Sequence, residues 1–157
     1  MKMISIQQIL VATDFSETSE TALRYATTLA EAFHARLDVL HVVEEPFGYV
    51  ASTHGYIPEV DAFRETLNKA AREQLHNVLT PEEVQRWQAR LSLRPGTPYV
   101  EIVRFAKDHA VDLIVLGTHG RGPVWHALLG SVAERVVRNA HCPVLTVRHH
   151  TQDVVLP

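Results

Sequence analysis

Five short apolar runs, each separated from the next by a stretch of helical period, limit what this chain can fold into. QQILVAT (7–13) is apolar and β-branched and ends at Asp14; RLDVLHVV (36–43), QARLSLRPG (88–96), VDLIVLG (111–117) and PVLTVR (143–148) follow. Runs this short and this rich in Val, Ile and Leu read as strands. VDLIVLG is almost wholly apolar, as a central parallel strand covered on both faces should be. Between the strands, SETSETALRYATTLAEAFHA (16–35) sets Ala22, Leu23, Ala26, Leu29, Ala30 and Phe33 on one helical face behind capping Ser and Thr residues. Residues 59–79 repeat that spacing through Val60, Phe63, Leu67, Ala70, Ala71, Leu75 and Val78. TPYVEIVRFAKDHA (97–110) opens with Thr97 as cap and Pro98 in the first turn, and a last helix is expected over about 131–140.

The order β-α-β-α-β-α-β-α-β with right-handed crossovers predicts an α/β fold: an open five-stranded parallel sheet, doubly wound and Rossmann-like, in strand order 3-2-1-4-5, with helices on both faces. A chain of 157 residues suffices for one core and falls short of two ordinary domains. Residues 1–148 are therefore expected to form one domain, and HHTQDVVLP (149–157) a tail. EEPFGYVASTHGYIP (44–58) is broken by Pro and Gly and reads as a long loop.

Ligands of such sheets bind outside the carboxyl ends of the strands, where the winding reverses. Asp14 closes the first strand and Gly117 the fourth, and the order 3-2-1-4-5 makes those strands neighbours at the reversal. The Asp14 carboxylate and GTHGRGPVWHALLGS (117–131) then face one crevice. Gly117, Gly120, Gly122 and Gly130 permit close backbone approach, with N–H groups aimed at an anion. A helix beginning at Ser131 adds a positive dipole end and a hydroxyl. Each residue has a plainer reading beside this one. The glycines turn the chain, Ser131 and Glu134 form an S-x-x-E capping box, Asp14 is a turn residue, and Trp125 anchors the loop.

Charge and composition exclude several classes. The 15 basic residues are scattered among 18 acids for a net charge of −3, without the basic stripe of a nucleic-acid binder. No apolar run approaches the ~18 residues of a membrane span. MKMISIQQILVATD has no apolar signal core, and Cys142, the one cysteine, has no partner for an intramolecular disulfide, so a cytoplasmic location is expected. Ten histidines include no H-x-x-x-H pair on a predicted helix, which argues against zinc. Both G-x4-G-K-[ST] and G-x-G-x-x-G are absent, and with them any visible phosphoryl-transfer machinery.

The spacing G-x2-G-x9-G-S at Gly117, Gly120, Gly130 and Ser131 resembles the universal stress protein family, in the branch whose members bind ATP. ILVATDFSETSETAL, LHVVEE, VDLIVLGTHGRG and GSVAERVVRNAHCPVLTV extend the resemblance over nearly the whole chain outside 44–95. It implies that Asp14 accepts from ribose or metal-bound water, and that the Val42 backbone meets the adenine edge. It implies that Gly117 and Gly120, with Thr118 and His119 between them, contact ribose and phosphate through the backbone. Arg121 and Gly122 fall in the phosphate-proximal loop, and Gly130, Ser131 and Val132 in the second half of the cradle. Ala12 stands where the family often has proline and Leu116 where methionine is common; both keep an apolar wall. The implied ligand is ATP, with Mg²⁺ or Mn²⁺ held mainly by the phosphates, and the implied assembly is a homodimer through antiparallel pairing of strand 143–148. Two alternatives are a slow ATP hydrolase or adenylyl-transfer enzyme with Asp14 or His119 as base, and an interaction protein that binds no nucleotide. Sulfur-transfer and amide-forming relatives of this architecture carry S-G-G-x-D-S after the first strand, where this chain has TDFSETS, which disfavours the enzyme.

Overall fold

In the computed structural model, which describes residues 4–44, 58–118 and 129–148, the five expected strands are β1 (Gln8–Ala12), β2 (Arg36–Val43), β3 (Arg90–Pro95), β4 (Leu113–Gly117) and β5 (Val144–Val147). They form one sheet in the order β3-β2-β1-β4-β5, and every pairing is parallel. The helices are α1 (Glu17–Phe33), α2 (Pro58–His76), α3 (Pro81–Arg86), α4 (Pro98–Asp108) and α5 (Ser131–Asn139). Side chains alternate across each strand, so the apolar runs supply two cores at once. Ile9, Val11, Leu37, Val39, Leu113 and Val115 pack with Ala22, Ala26 and Ala30 of α1 and Leu75 of α2. Leu10, Leu40, Ile114 and Leu116 pack against Ile102, Phe105 and Ala106 of α4 and Ala133 and Val136 of α5. The doubly wound sheet predicted from the sequence is thus the observed one.

Polar bonds key β1 to both neighbours at its N-terminal end. Gln8 Nε2 donates to Asp38 Oδ2 of β2 at 2.6 Å, and the Asp112 carboxylate ahead of β4 accepts the amides of Gln7 and Gln8 at 2.8 and 3.0 Å. Asp38 is fully buried, with Arg90 Nε 3.3 Å from its other oxygen. Burial pushes its carboxyl up, against the opposing pull of Arg90 and Gln8.

Three expectations need correction. Phe33 does not join the buried face of α1 and is 47% exposed. The helix ends there, with His34 in the left-handed region at φ 53° and the Ala35 amide returning to the Ala30 carbonyl. Phe63 and Ala70 are likewise exposed, because the buried line of α2 narrows to Ala71 and Leu75; the Val60 side chain lies outside the described residues. The helix expected over 59–79 stops at His76, and a separate α3 follows, capped by Thr80. The motif T-P-E-E at 80–83 carries that start: Thr80 accepts the Glu83 amide, Glu83 accepts the Thr80 amide, and Pro81 sits in the first turn.

A clasp at Glu31 fastens α3 to α1. Arg86 donates to both carboxylate oxygens, at 2.8 and 2.6 Å, and the Trp87 indole donates at 3.0 Å. The Arg86 bonds first, then the Trp87 bond, hold the Glu31 pKa down to about 2 from an ordinary 4.5. A carboxyl whose folded pKa lies below its unfolded value contributes stability above the unfolded pKa and loses it as pH falls through the folded one. Glu31→Gln is therefore expected to lower the denaturant midpoint at pH 7 and to converge on the parent protein near pH 2. A difference independent of pH would contradict the clasp.

Candidate functional site

The crevice begins where β1 stops. Ala12 is the last residue of β1 paired to β2, and the Thr13 amide then donates to the Leu40 carbonyl at 2.9 Å. From there the chain turns sharply. Asp14 Oδ1 accepts the Ser16 amide at 3.1 Å and the Ser16 hydroxyl, Thr13 Oγ1 accepts the Phe15 amide at 3.0 Å, and Phe15 takes a φ of 64°. Ser16 in turn caps α1 by accepting the Ser19 amide at 3.3 Å. The turn reading of Asp14 is thus realised in the geometry, two residues past the end of β1. His41, which the sequence reading did not single out, holds this turn from the neighbouring strand. Its Nδ1–H donates to the Thr13 carbonyl at 2.7 Å, and its ring lies 4.3 Å from that of Phe15. The available signal was a lone histidine near the end of an apolar strand.

The backbone of β2 projects past this turn. Leu40 turns its carbonyl toward β1, whereas Val43 turns its own toward β3, where the Gly96 amide donates to it at 3.0 Å. Backbone groups alternate sides along a strand, so the N–H and C=O of Val42 face the β1 side, beyond the last β1 partner. A donor and an acceptor thereby stand together at the crevice edge. The side chains of Ala12, Val42 and Val132 are partly buried against the same cluster that contains Leu116, and Tyr99 joins them from the first turn of α4. Tyr99 also went unforeseen; an aromatic just after Pro98 was its signal.

Gly117 and Gly130 have different physical reasons. A Cβ on Gly117 would lie 2.7 Å from Thr18 Cγ2 and 3.2 Å from the Thr18 carbonyl carbon, so glycine here lets the start of α1 cross the end of β4. Thr118 follows, buried, with its amide on the Val147 carbonyl at 2.8 Å and its carbonyl accepting the Gly130 amide. The Gly130 amide is therefore directed into the protein. Gly130 is the N-cap of α5, extended at φ −67° and ψ 157°, and among the described residues no side chain caps the helix. The S-x-x-E capping box is not formed: Ser131 is the first helical residue, and Glu134 pairs with Arg138 at 2.8 Å. The outward donors of this turn are the amides that begin at Ser131 and Val132, which no intrahelical carbonyl can satisfy. His119, Gly120, Arg121, Gly122 and Trp125 lie outside the described residues, as do the tail 149–157 and most of the 44–58 loop.

Apolar wall, backbone donor–acceptor pair and uncapped helix start together suit a flat heteroaromatic ring attached to an anion. Among the described residues, no group of three His, Cys, Asp or Glu side chains is placed to hold a metal ion. Burial first, then the Asp112 charge, pushes the Cys142 thiol up, away from the reactive thiolate. No helix among the described residues is long and apolar enough to cross a membrane.

A family model described as the universal stress protein family matches residues 5–148. Universal stress protein MJ0531 of Methanocaldococcus jannaschii is 36% identical over 143 residues, covering 90% of this chain and 82% of its own. The solved structure of MJ0577, from the same organism, superposes with a TM-score of 0.79 at 29% identity, covering 95% of this chain and all of that one. A universal stress protein solved in complex with cAMP superposes with a TM-score of 0.61 at 26% identity, covering 95% of this chain and 100% of its own.

Proposed function

The chain belongs to the universal stress protein family, and from that premise we propose that it is an ATP-binding regulatory module whose occupancy alters its shape or its partners in a stress response. The observation that carries this reading is the start of α5, which follows β4 beside the β1–β4 reversal and whose first amides have no intrahelical acceptor. The Val42 N–H and C=O are set to read the adenine edge, with Ala12, Leu116, Val42 and Val132 as the apolar wall for the base. Asp14, at the mouth, faces the ribose, while Gly117 and Thr118 bring β4 against it. The amides of Ser131 and Val132, reached through Gly130, hold phosphate, and His119, Gly120, Arg121 and Gly122 supply the other half of the cradle. Mg²⁺ or Mn²⁺ arrives on the phosphates, whose oxygens supply most of its ligands. The cAMP-bound relative supports an adenine nucleotide as the class of ligand. On this reading the module binds without dedicated catalysis and acts in the cytoplasm. Saturable binding of ATP, measured calorimetrically, tests the reading.

The same proposal includes a homodimer through strand 143–148. β5 is an edge strand, and Val144, Leu145 and Thr146 are all partly exposed. Tyr25 of α1, 47% exposed, lines a recess of about 370 Å³ with Leu145 and Val147, and Val137 of α5 is as exposed as Tyr25. An unpaired apolar edge of this kind is a liability unless a second strand covers it. Sedimentation at micromolar concentration is expected to give twice the chain mass of 17.6 kDa, and a monomer would contradict the pairing.

A further inference from the structure

We infer that Arg135, held on the ring of Tyr99, is a specificity residue of the crevice that favours nucleotides carrying more phosphate. The inference rests on the ATP-binding reading and adds a residue which that reading does not include. Arg135 follows Ser131 by four positions and Val132 by three, so all three share one face of α5. Helical side chains lean toward the N-terminus, which carries Arg135 back over the turn whose amides form the proposed phosphate cradle. Its guanidinium carbon lies 5.0 Å from the centre of the Tyr99 ring. Tyr99 itself packs in the cluster that holds Ala12, Val42 and Val132. One aromatic side chain thus joins the apolar wall proposed for the base to the cation beside the proposed phosphate site.

Among the described residues the charge on Arg135 is also uncommitted. Arg64, Arg86, Arg90, Arg94, Arg104 and Arg138 each face a carboxylate within ion-pair distance; Arg135, exposed, shares with Arg24, Arg36, Arg72 and Arg148 the lack of one among the described residues, and of these five it is the one that rests on an aromatic ring there. The nearest acid along the helix, Glu134, is engaged by Arg138. A cation resting on an aromatic face keeps its N–H donors for another acceptor while losing conformational freedom. Tyr99 is accordingly a positioning residue, and Arg135 the group that meets the charge.

The test measures dissociation constants of adenosine, AMP, ADP and ATP for the full chain, for Arg135→Gln and for Tyr99→Leu, with folding checked by circular dichroism. Arg135→Gln is expected to reduce the ratio of ATP to AMP affinity by about tenfold while leaving adenosine affinity unchanged, and added salt to narrow that ratio in the parent protein. Tyr99→Leu is expected to shift the ratio the same way and to weaken adenosine as well; Tyr99→Phe retains the ring and the parent ratio. An unchanged ratio in Arg135→Gln, or equal losses for adenosine and ATP, would overturn the assignment. A parent protein that binds none of the four ligands would overturn the nucleotide reading itself, and the assignment with it.

Discussion

Ser131→Pro is expected to weaken ATP binding by about 2 kcal/mol, roughly thirtyfold, without lowering the melting temperature. Proline suits the first position of a helix, where its fixed φ is already helical and the missing amide has no intrahelical acceptor. Gly130 before it is extended at ψ 157°, the conformation a following proline requires. The substitution deletes the Ser131 amide and hydroxyl and leaves the rest of α5 in place. Ser131→Ala keeps the amide and is expected to lose less. Calorimetric titration of both variants separates the backbone from the hydroxyl, and full ATP affinity in Ser131→Pro would show that the α5 start does not hold phosphate.

Phe105→Ala is expected to cost about 3–5 kcal/mol of stability and to lower the melting temperature by roughly 10 °C. Phe105 is only 1% exposed, is the bulkiest fully buried side chain among the described residues, and packs α4 into the cluster with Leu40, Ile102 and Ile114. Its ring stacks on His109 at 4.0 Å and lies under the Arg94 guanidinium at 4.8 Å, so truncation removes contacts on both sides. Phe105 follows Tyr99 by six positions along α4, so the folded fraction should keep its ATP stoichiometry. Thermal denaturation within a degree or two of the parent would mean that the site collapses around the missing ring.

The sheet was legible because each apolar run obeys a strand length, each helix has a clear period, and the crossover rule leaves few topologies. Period tells which face of a helix is apolar but not how far the sheet extends beneath it, which is why the apolar spacing runs through Phe33 and Phe63 although both are exposed. T-P-E-E at 80–83 did mark the start of α3, but a six-residue helix is too short to show a period. At the site, the sequence marked Gly117 as important without disclosing why. The cause is Thr18, brought against it only by the packing of α1 across β4. Likewise S-x-x-E fits a capping box at Ser131 as well as it fits a phosphate cradle. The bond from the Gly130 amide to the Thr118 carbonyl accompanies a helix that starts one residue earlier than that box requires, with Gly130 and not Ser131 at the cap. His41 and Tyr99 escaped notice because a single histidine in a strand, or a single tyrosine after a proline, has no pattern until the fold supplies its neighbours.

Titration calorimetry of the purified chain with ATP, with and without Mg²⁺, tests the central claim most directly, provided that a denatured sample is first assayed for nucleotide carried through purification. The account predicts saturable binding near one ATP per chain, or bound adenine nucleotide already present in the preparation. No heat of binding and no carried nucleotide would contradict it and leave a universal stress protein that acts through protein contacts alone.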